Sequence, residues 1–403
     1  MQLIWRLLNA DFEGQMAKYP NVADLVLNYD PEFPQERFRT AGLEIALRSS
    51  TGRLPSTVPW PANSAPTAAP LLPPPDESDD LSRFRGYDAV VVTWTSAEAA
   101  ALAAMFTPDY LPSRWYEYRH GVESYIPLVT GAMAPFRDKQ PDMARYYHSL
   151  GLYFPCTIGK AKVLLFKSGL HLDYDGPAAP VRKLMLEIAE AVAPKLFITT
   201  GTGGGIGKSV KLGDVVIAGQ TRFDATTQFK NESWASAVYK TSALPAGALA
   251  AIKPNLTAVN ASRIEGARPT PKIWSGKSAT IVTTDFFGFD DSTDYYKLQG
   301  KGQACDMGDA MVGNALQSVS GLSWYAIRNA SDPQIPNPSR NIKAAETDAG
   351  NIYTKYGAFT TAASAIATWA VIDAACNRGA KTASGTKAGT RSKSKPKTKT
   401  KKR

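Results

Sequence analysis

Histidine and cysteine are scarce in this chain of 403 residues, and their scarcity excludes several kinds of active site. The three histidines stand in no nucleophile–acid pattern, and with the three cysteines they form no metal-ligand spacing. The Gly-x-Ser-x-Gly elbow of serine hydrolases is missing as well. We therefore expect neither a metal ion nor an organic cofactor. Because Cys156, Cys305 and Cys376 lie far apart, we expect buried thiols in a reducing, cytoplasmic compartment.

Long apolar runs are missing too, and the positive charge is concentrated at one end. No stretch of 18 or more residues is uninterruptedly apolar, so we expect no membrane span. The net charge is +10, but eleven Lys or Arg and no acid lie from Arg378 onwards, which leaves −1 for the remainder. We expect residues 377–403 to be a disordered basic tail, suited to nonspecific nucleic-acid contact or serving only as a solubilising extension.

The remainder of the chain divides into three segments. Apolar spacing predicts helices in residues 1–52, proline predicts a linker over residues 53–85, and residues 86–376 form the main domain. Within this domain, apolar strands such as Asp88–Thr93 and Ser323–Arg328 alternate with amphipathic helices. This alternation predicts a three-layer α/β/α fold with a mixed, mainly parallel twisted sheet.

Helical spacing is clear in three places of this domain. It predicts a helix that contains Val181, Leu184, Met185, Ile188 and Val192, and two more over residues 306–319 and 359–375. Residues 108–160 are rich in Tyr and Trp and follow neither the helix nor the strand pattern. We interpret them as an insertion that lines or caps a site.

A glycine-rich segment follows a predicted buried strand. The strand over residues 195–200 leads into Gly201-Thr202-Gly203-Gly204-Gly205-Ile206-Gly207, which we predict as a loop. A phosphate-binding P-loop would need glycine at position 202, and a dinucleotide fingerprint would need it at 206, so neither template fits. What remains is a loop whose N–H groups approach a ligand closely, or a tight turn without a ligand.

Seven short motifs, in this order, resemble those of the nucleoside phosphorylase/nucleosidase superfamily. This superfamily includes purine nucleoside and uridine phosphorylases, methylthioadenosine/S-adenosylhomocysteine nucleosidase and AMP nucleosidase. The resemblance covers about residues 86–376, and the glycine segment with Leu212-Gly213-Asp214-Val215-Val216 is its central part. The other pieces are Val90-Val91-Val92-Thr93 leading to Glu98, Lys167-Ser168-Gly169, Thr221-Arg222-Phe223-Asp224, Val282-Thr283-Thr284-Asp285-Phe286, Asp306-Met307 and Ser331-Asp332. The resemblance implies cleavage of the N-glycosidic bond of a small-molecule nucleoside or nucleotide by a homodimer or hexamer.

Asp332 matches the acid that meets the purine N7 in this family. Breaking an N-glycosidic bond leaves an oxocarbenium-like sugar and a poor leaving group, so protonation of the base stabilises its departure. A carboxylic acid serves this purpose only if burial keeps it protonated near neutral pH. The alternative is that Asp332 is a turn residue before Pro333.

Two further roles are implied, and each has a structural alternative. Glu98 corresponds to the carboxylate that activates water in the hydrolases, but Thr95-Ser96-Ala97-Glu98 is also a helix capping box. Phe286, or else Phe287, resembles the aromatic residue that stacks on the base; the alternative is simple core packing.

The remaining substrate-binding residues are also implied by the resemblance. They are Met307 against the ribose, and Ser168, Gly169, Thr202, Gly203, Gly204, Arg222 and Ser331 lining the site. The chain departs from the family at position 308, where the glutamate that binds both ribose hydroxyls is replaced by glycine. Either Asp309 substitutes for it with a shorter arm, or the sugar is modified, bound differently or not bound.

Charge favours hydrolysis over phosphorolysis. Phosphate as a second substrate needs fixed cations, usually arginine. The hexameric phosphorylases have an arginine just before the glycine segment, where this chain has Ile198-Thr199-Thr200. Water is therefore the expected nucleophile, although Arg222 and His171 keep phosphorolysis open. A sensor that binds a nucleoside without turnover is the other alternative.

Overall fold

The computed structural model describes residues 58–130, 149–172, 175–256 and 267–378. The helices predicted in residues 1–52 and almost all of the basic tail lie outside these residues. Thirteen strands in the described part form one mixed sheet. They are β1 (Pro66–Ala68), β2 (Ala89–Thr93), β3 (Tyr116–Tyr118), β4 (Gly151–Ile158), β5 (Ala161–Ser168), β6 (Leu196–Gly205), β7 (Val215–Ile217), β8 (Gln220–Asp224), β9 (Val238–Lys240), β10 (Ile273–Trp274), β11 (Thr280–Thr284), β12 (Ala304–Asp306) and β13 (Ser323–Asp332). The helices are α1 (Ser96–Phe106), α2 (Pro180–Val192), α3 (Ala248–Leu256), α4 (Asp309–Leu316) and α5 (Ile342–Ile372).

Four parallel strands form the centre of the sheet, in the order β5, β2, β6 and β13. Strand β2 is the apolar run predicted from the sequence, and all five of its residues are buried because strands flank it and helices cover it. Strand β6 has three neighbours. Strand β13 pairs with nearly the whole of β6, β2 pairs with the first half of β6, and β12 pairs with its last residues. The carboxyl ends of the central strands therefore meet at one edge.

Helices cover both faces of the sheet and give the predicted three layers. Helices α1, α3 and α5 pack with the strands into one apolar core, and α2 and α4 pack into a second core on the opposite face. Helix α2 buries the side chains that recur at helical spacing: Val181, Leu184, Met185, Ile188 and Val192. The periodicity thus identified the face that packs on the sheet. The three-layer α/β/α prediction is confirmed.

The glycine-rich segment is a strand and not the predicted loop. Residues up to Gly205 continue β6 because β13 and β12 pair with them on either side. Glycine is needed here for close packing: a Cβ atom at Gly201 would lie 2.1 Å from Glu98 Oε1, and one at Gly203 would lie 2.7 Å from the carbonyl oxygen of Cys305. At these two positions glycine is therefore needed because neighbouring residues leave no room for a Cβ atom, and not because the backbone turns here.

Helix α4 is shorter than the predicted helix over residues 306–319. Asp306 ends strand β12, and its Oδ2 accepts hydrogen bonds from the main-chain N–H groups of Gly308 (3.1 Å) and Asp309 (2.7 Å). These bonds satisfy donors at the start of the helix, in the manner of a capping carboxylate.

The last part of residues 108–160, for which the sequence predicted no pattern, forms strand β4.

The predicted linker is partly integrated into the domain. Strand β1 pairs antiparallel with β4, and the carbonyl oxygen of Ser64 accepts a hydrogen bond of 2.7 Å from the indole of Trp369. Trp60 packs on the same indole, with ring centroids 4.9 Å apart. Proline content predicts an extended linker, and parts of it dock: Val58 and Trp60 pack against the core that contains α5, whereas Leu81 and Phe84 belong to the core on the other face.

Helix α5 is the central helix of its layer. With its continuation to Asn377, it is the one helix in the described residues that is long and apolar enough to cross a membrane, and 89% of its most apolar window is buried inside the protein. A core helix passes the same test of length and composition. Its apolar surface here is accounted for by β6, β13 and the neighbouring helices.

The docking of the N-terminal segment leads to the first prediction. Replacement of Trp60 by alanine should lower the free energy of unfolding by about 2 kcal/mol, because a half-buried aromatic contact with Trp369 is lost. Leu72→Ala is the control from the same segment, since Leu72 is 90% exposed, and it should change little. Chemical denaturation measures both. Equal stability of the two variants would mean that the segment is not docked.

Candidate active site

The carboxyl ends of β6 and β13 bring Asp332 next to Gly204. The register between the strands shifts between Ala330 and Asp332, so a local irregularity re-aims the side chain at 332. A Cβ atom at Gly204 would lie 3.2 Å from Asp332 Oδ2 and 2.9 Å from Cys305 Sγ. Ligands of open α/β sheets bind at this edge.

Asp332 is buried, and its two oxygens have different surroundings. Oδ1 accepts a hydrogen bond of 2.9 Å from the Ser331 hydroxyl. Oδ2 has no hydrogen-bond partner within the described part of the chain. Burial, with a smaller contribution from the negative charge of Asp290, raises the pKa of Asp332 to about 7, although the Ser331 bond opposes this rise. The side chain is therefore half protonated near neutral pH and has one oxygen available to a ligand.

Glu98 is buried behind the glycine strand and forms the predicted capping box with Thr95. Its Oε2 accepts hydrogen bonds from three donors: the Thr93 hydroxyl (2.6 Å) and the main-chain N–H groups of Trp94 and Thr95 (both 2.9 Å). Its Oε1 accepts from the main-chain N–H (2.6 Å) and the hydroxyl (2.7 Å) of Thr202. A carboxylate has about four lone-pair positions, so five donors leave none for water. Thr202 is likewise occupied with Glu98.

A buried arginine, Arg328, organises the acids beside this strand. Its guanidinium forms two bonds with Asp309, of 2.9 Å from Nε and 2.7 Å from Nη2. The same group lies 3.1 Å from Asp306 Oδ2 and 3.6 Å from Glu98 Oε1. Burial and the nearby Asp309 raise the pKa of Asp306 above its ordinary value, and Arg328 only partly offsets this. The sequence offered one signal for this cluster, which is an arginine within an apolar strand.

Position 309 does not replace the missing glutamate in this arrangement. Both carboxylate oxygens of Asp309 are bound to Arg328, so the shorter arm predicted for the ribose points elsewhere. The space in front of Gly308 is filled by the indole of Trp94, since a Cβ atom at 308 would lie 3.1 Å from that ring. Trp94 also lies over the Arg328 guanidinium, 5.0 Å from it to the ring centroid. Sequence reasoning missed Trp94.

The aromatic and small residues predicted to line the site lie around the same edge, with one exception. Phe286 is half-buried and packs on Tyr296 at 4.7 Å between centroids, whereas Phe287 packs toward Phe289 at 6.2 Å. Met307 is buried between Asp306 and Gly308. The Ser168 hydroxyl donates to the carbonyl of Leu170 (2.8 Å), and Gly169 adjoins the carbonyl of Ser149.

Arg222 is the exception. It pairs with Val282, which pairs with Cys305, which pairs with Gly204 beside Asp332. Four inter-strand steps therefore separate Arg222 from Asp332, roughly 19 Å along the sheet. His171 lies nearer, but burial and the charge of Arg328 lower its pKa to about 3. It is neutral at physiological pH and supplies no fixed cation for phosphate.

A family model for the phosphorylase superfamily matches residues 128–356, which is more than half of the chain. The chain belongs to this superfamily. No curated protein sequence matches it.

The chain is similar to many solved structures, and three examples come from two bacteria. The 5'-methylthioadenosine/S-adenosylhomocysteine nucleosidase of Neisseria meningitidis in complex with methylthio-immucillin-A has 17% identity and a TM-score of 0.43, over 71% of this chain and 98% of that one. The corresponding Helicobacter pylori enzyme with butyl-thio-DADMe-Immucillin-A has 15% identity and a TM-score of 0.45, over 72% and 98%. The futalosine hydrolase of Helicobacter pylori has 14% identity and a TM-score of 0.45, over 71% and 97%.

Because Asp332 titrates near neutral pH, we expect the free energy of unfolding of the protein to depend on pH. The folded-state pKa of about 7 lies above the ordinary value of 3.8, so between these values the folded protein holds a proton that the unfolded chain releases. The free energy of unfolding should therefore fall as pH rises from about 4 to about 7, by on the order of 1.4 kcal/mol per pH unit from this group. Asp332→Asn should flatten the curve in this window. Denaturation at several pH values measures it, and parallel curves would contradict the assignment.

Proposed function

We propose that the protein hydrolyses the N-glycosidic bond of a purine nucleoside or nucleotide, with Asp332 as the general acid. One observation carries the proposal: Asp332 is buried at the carboxyl end of a central strand, with a pKa of about 7 and an unpaired Oδ2 in the described structure. A protonated carboxyl at this position donates its proton to a ring nitrogen of the departing base. Membership of the phosphorylase superfamily supports chemistry at a glycosidic bond.

Water is the proposed nucleophile because none of three candidate cations, Arg328, His171 and Arg222, is placed or charged to hold a phosphate. Arg328 is bound by three carboxylates, His171 is neutral, and Arg222 lies four strand steps away. A phosphate dianion would need at least one free cation for bidentate contact. The oxocarbenium-like sugar formed on base departure is itself electrophilic, so water adds to its anomeric carbon. The proton that this water loses passes to solvent, and Asp332 regains its proton from solvent.

Glu98 has a supporting role in this proposal and is not the base. Its two carboxylate oxygens accept five hydrogen bonds, and these bonds join the end of β2, the start of α1 and the glycine strand. Loss of such a bonded, buried carboxylate leaves several donors without acceptors. Glu98 thereby positions Thr202 and the neighbouring glycines against which the substrate would lie.

Base release from a nucleoside panel tests the proposed reaction. The protein is incubated with adenosine, inosine, 5'-methylthioadenosine and AMP, with and without inorganic phosphate, and free base is measured by chromatography. We expect base release without phosphate, a rate that falls above about pH 7 as Asp332 loses its proton, and a loss of about 100-fold or more in Asp332→Asn.

Asp224→Asn is the matched control. Asp224 ends the distant strand β8 and lies 2.6 Å from the Lys301 ammonium, so its replacement should leave the rate unchanged. Base release only in the presence of phosphate would identify a phosphorylase instead. Binding without base release from any nucleoside would identify a sensor and refute the hydrolase.

Glu98→Gln separates the two roles considered for that residue. In the glutamine side chain an NH2 group replaces one carboxylate oxygen, so the donors that this oxygen accepted from would face other donors. We therefore expect the free energy of unfolding to fall by about 3 kcal/mol. The fraction that remains folded at low temperature should still release base. A variant with unchanged stability but no base release would show that Glu98 is the catalytic base after all.

A further inference from the structure

The carboxylate of Asp290 is buried, at 1% exposure, and joins three segments of the chain. Its Oδ2 accepts hydrogen bonds from the main-chain N–H of Gly207 (2.7 Å) and from the Gln334 side chain (2.8 Å). Its Oδ1 accepts one from the Gln299 side chain (3.0 Å). Gly207 follows the end of β6, and Gln334 follows Asp332 at the end of β13. This one side chain therefore holds the ends of both strands together.

The main chain around Asp290 also contacts the active-site edge. The main-chain N–H of Ile335 donates to the Asp290 carbonyl at 2.8 Å. Shortly before Asp290, the carbonyl oxygen of Gly288 lies 3.3 Å from the position that a Cβ atom at Gly204 would take. Asp332 Oδ2 lies 3.2 Å from the same position. The loop that carries Asp290 and the proposed general acid therefore meet at Gly204.

The hydrogen bonds of Asp290 fit its ionised form. A carboxylate accepts hydrogen bonds on both oxygens, whereas a protonated carboxyl must donate from one of them. Both oxygens of Asp290 face N–H donors, so a proton on either would need an acceptor where these neighbours present donors. Burial and the charge of Asp294 raise the pKa of Asp290 above its ordinary value, and the three donors oppose this rise.

The charge on Asp290 acts on Asp332. Burial is the main cause of the raised pKa of Asp332, the Ser331 hydroxyl opposes the rise, and the negative charge of Asp290 adds to it. The neighbour on β12 is the Cys305 thiol, which donates to the Gly288 carbonyl (3.0 Å) and is therefore uncharged. A like charge disfavours the ionised form of a carboxyl group. Asp290 thus favours the form of Asp332 that can donate a proton.

We propose that Asp290 is a positioning residue of the reaction: it holds the loop after β11 against the segment that follows Asp332, and it keeps a negative charge near this acid. This inference rests on the proposed function. Asp332 carries the proton that passes to the base, and the charge of Asp290 stabilises that protonated form. The loop also carries Phe286 and Phe287, so the same hydrogen bonds fix these rings relative to the acid.

The pH dependence of base release tests the role of this charge. Asp290→Asn keeps the shape of the side chain and removes the charge. With the nucleoside of the panel that releases base fastest, the pH above which kcat/KM falls should move down by about one unit from the wild-type value near 7. The rate at pH 7 should therefore fall about fivefold. A loss of folded protein scales the whole profile and does not move its midpoint. Asp290→Ser repeats the test with a smaller side chain.

Asp291→Asn is the matched control from the same loop. Asp291 is also 1% exposed and accepts hydrogen bonds from the side chains of Asn337 (2.6 Å) and Thr293 (2.8 Å). Its charge does not contribute to the raised pKa of Asp332. The variant should lose stability as Asp290→Asn does, but its midpoint should stay near pH 7. Equal shifts in the two variants would overturn the assignment of Asp290.

Carbon-13 NMR of the aspartate carboxyls separates the inference from the proposed function, because it follows the protonation of Asp332 without a substrate. Asp332→Asn identifies the signal by its loss. Its titration midpoint should fall by about one unit in Asp290→Asn. A lower midpoint without base release from any nucleoside would refute the proposed function and retain the effect of the charge. Base release with an unchanged midpoint would overturn the inference and leave the proposed function intact. An unchanged midpoint without base release would overturn both.

Discussion

The buried guanidinium of Arg328 is the interaction on which the active-site edge depends. It joins strand β13 to three other parts of the chain: Glu98 at the start of α1, Asp306 at the end of β12 and Asp309 at the start of α4. Removing one partner of a buried ion pair leaves an uncompensated charge, at a cost of about 3–5 kcal/mol. The four segments are consequently fixed relative to one another, and with them the position of Asp332 four residues further along β13.

The same cluster separates two kinds of carboxyl group by their surroundings. Both carboxylate oxygens of Glu98 are bonded to hydroxyl and main-chain donors, and both of Asp309 are bonded to the Arg328 guanidinium. Asp332 receives only the Ser331 hydroxyl and faces the charge of Asp290, so burial dominates and favours its protonated form. The difference between Asp332 and the acids around Arg328 therefore comes from the placement of hydrogen-bond donors around chemically ordinary carboxyl groups.

Local patterns in the sequence predict the layers but not the contacts between distant segments. The apolar run of β2, the spacing in α2 and the capping box at Thr95 depend on neighbouring residues only, and the structure confirms them. The strand conformation of the glycine segment depends on β12 and β13, which lie about 100 residues or more away. The engagement of Asp309 by Arg328 is equally non-local: the sequence shows an arginine within an apolar strand but does not identify its partner. The contacts of Trp60 and Ser64 with Trp369 likewise join residues about 300 positions apart in the chain.

Glycine at 308 and tryptophan at 94 form one structural unit, and this unit determines how the site can work. A Cβ atom at 308 would lie 3.1 Å from the indole, so a larger residue there would require the ring to shift. A longer side chain at 308 would therefore compete for space with the indole that lies on Arg328. In the proposed hydrolysis, Gly308 offers the sugar no charged contact, and stabilisation of the transition state falls mainly on the leaving group. In that proposal the protonated form of Asp332 supplies it, because proton donation to the base does not require a contact with the sugar.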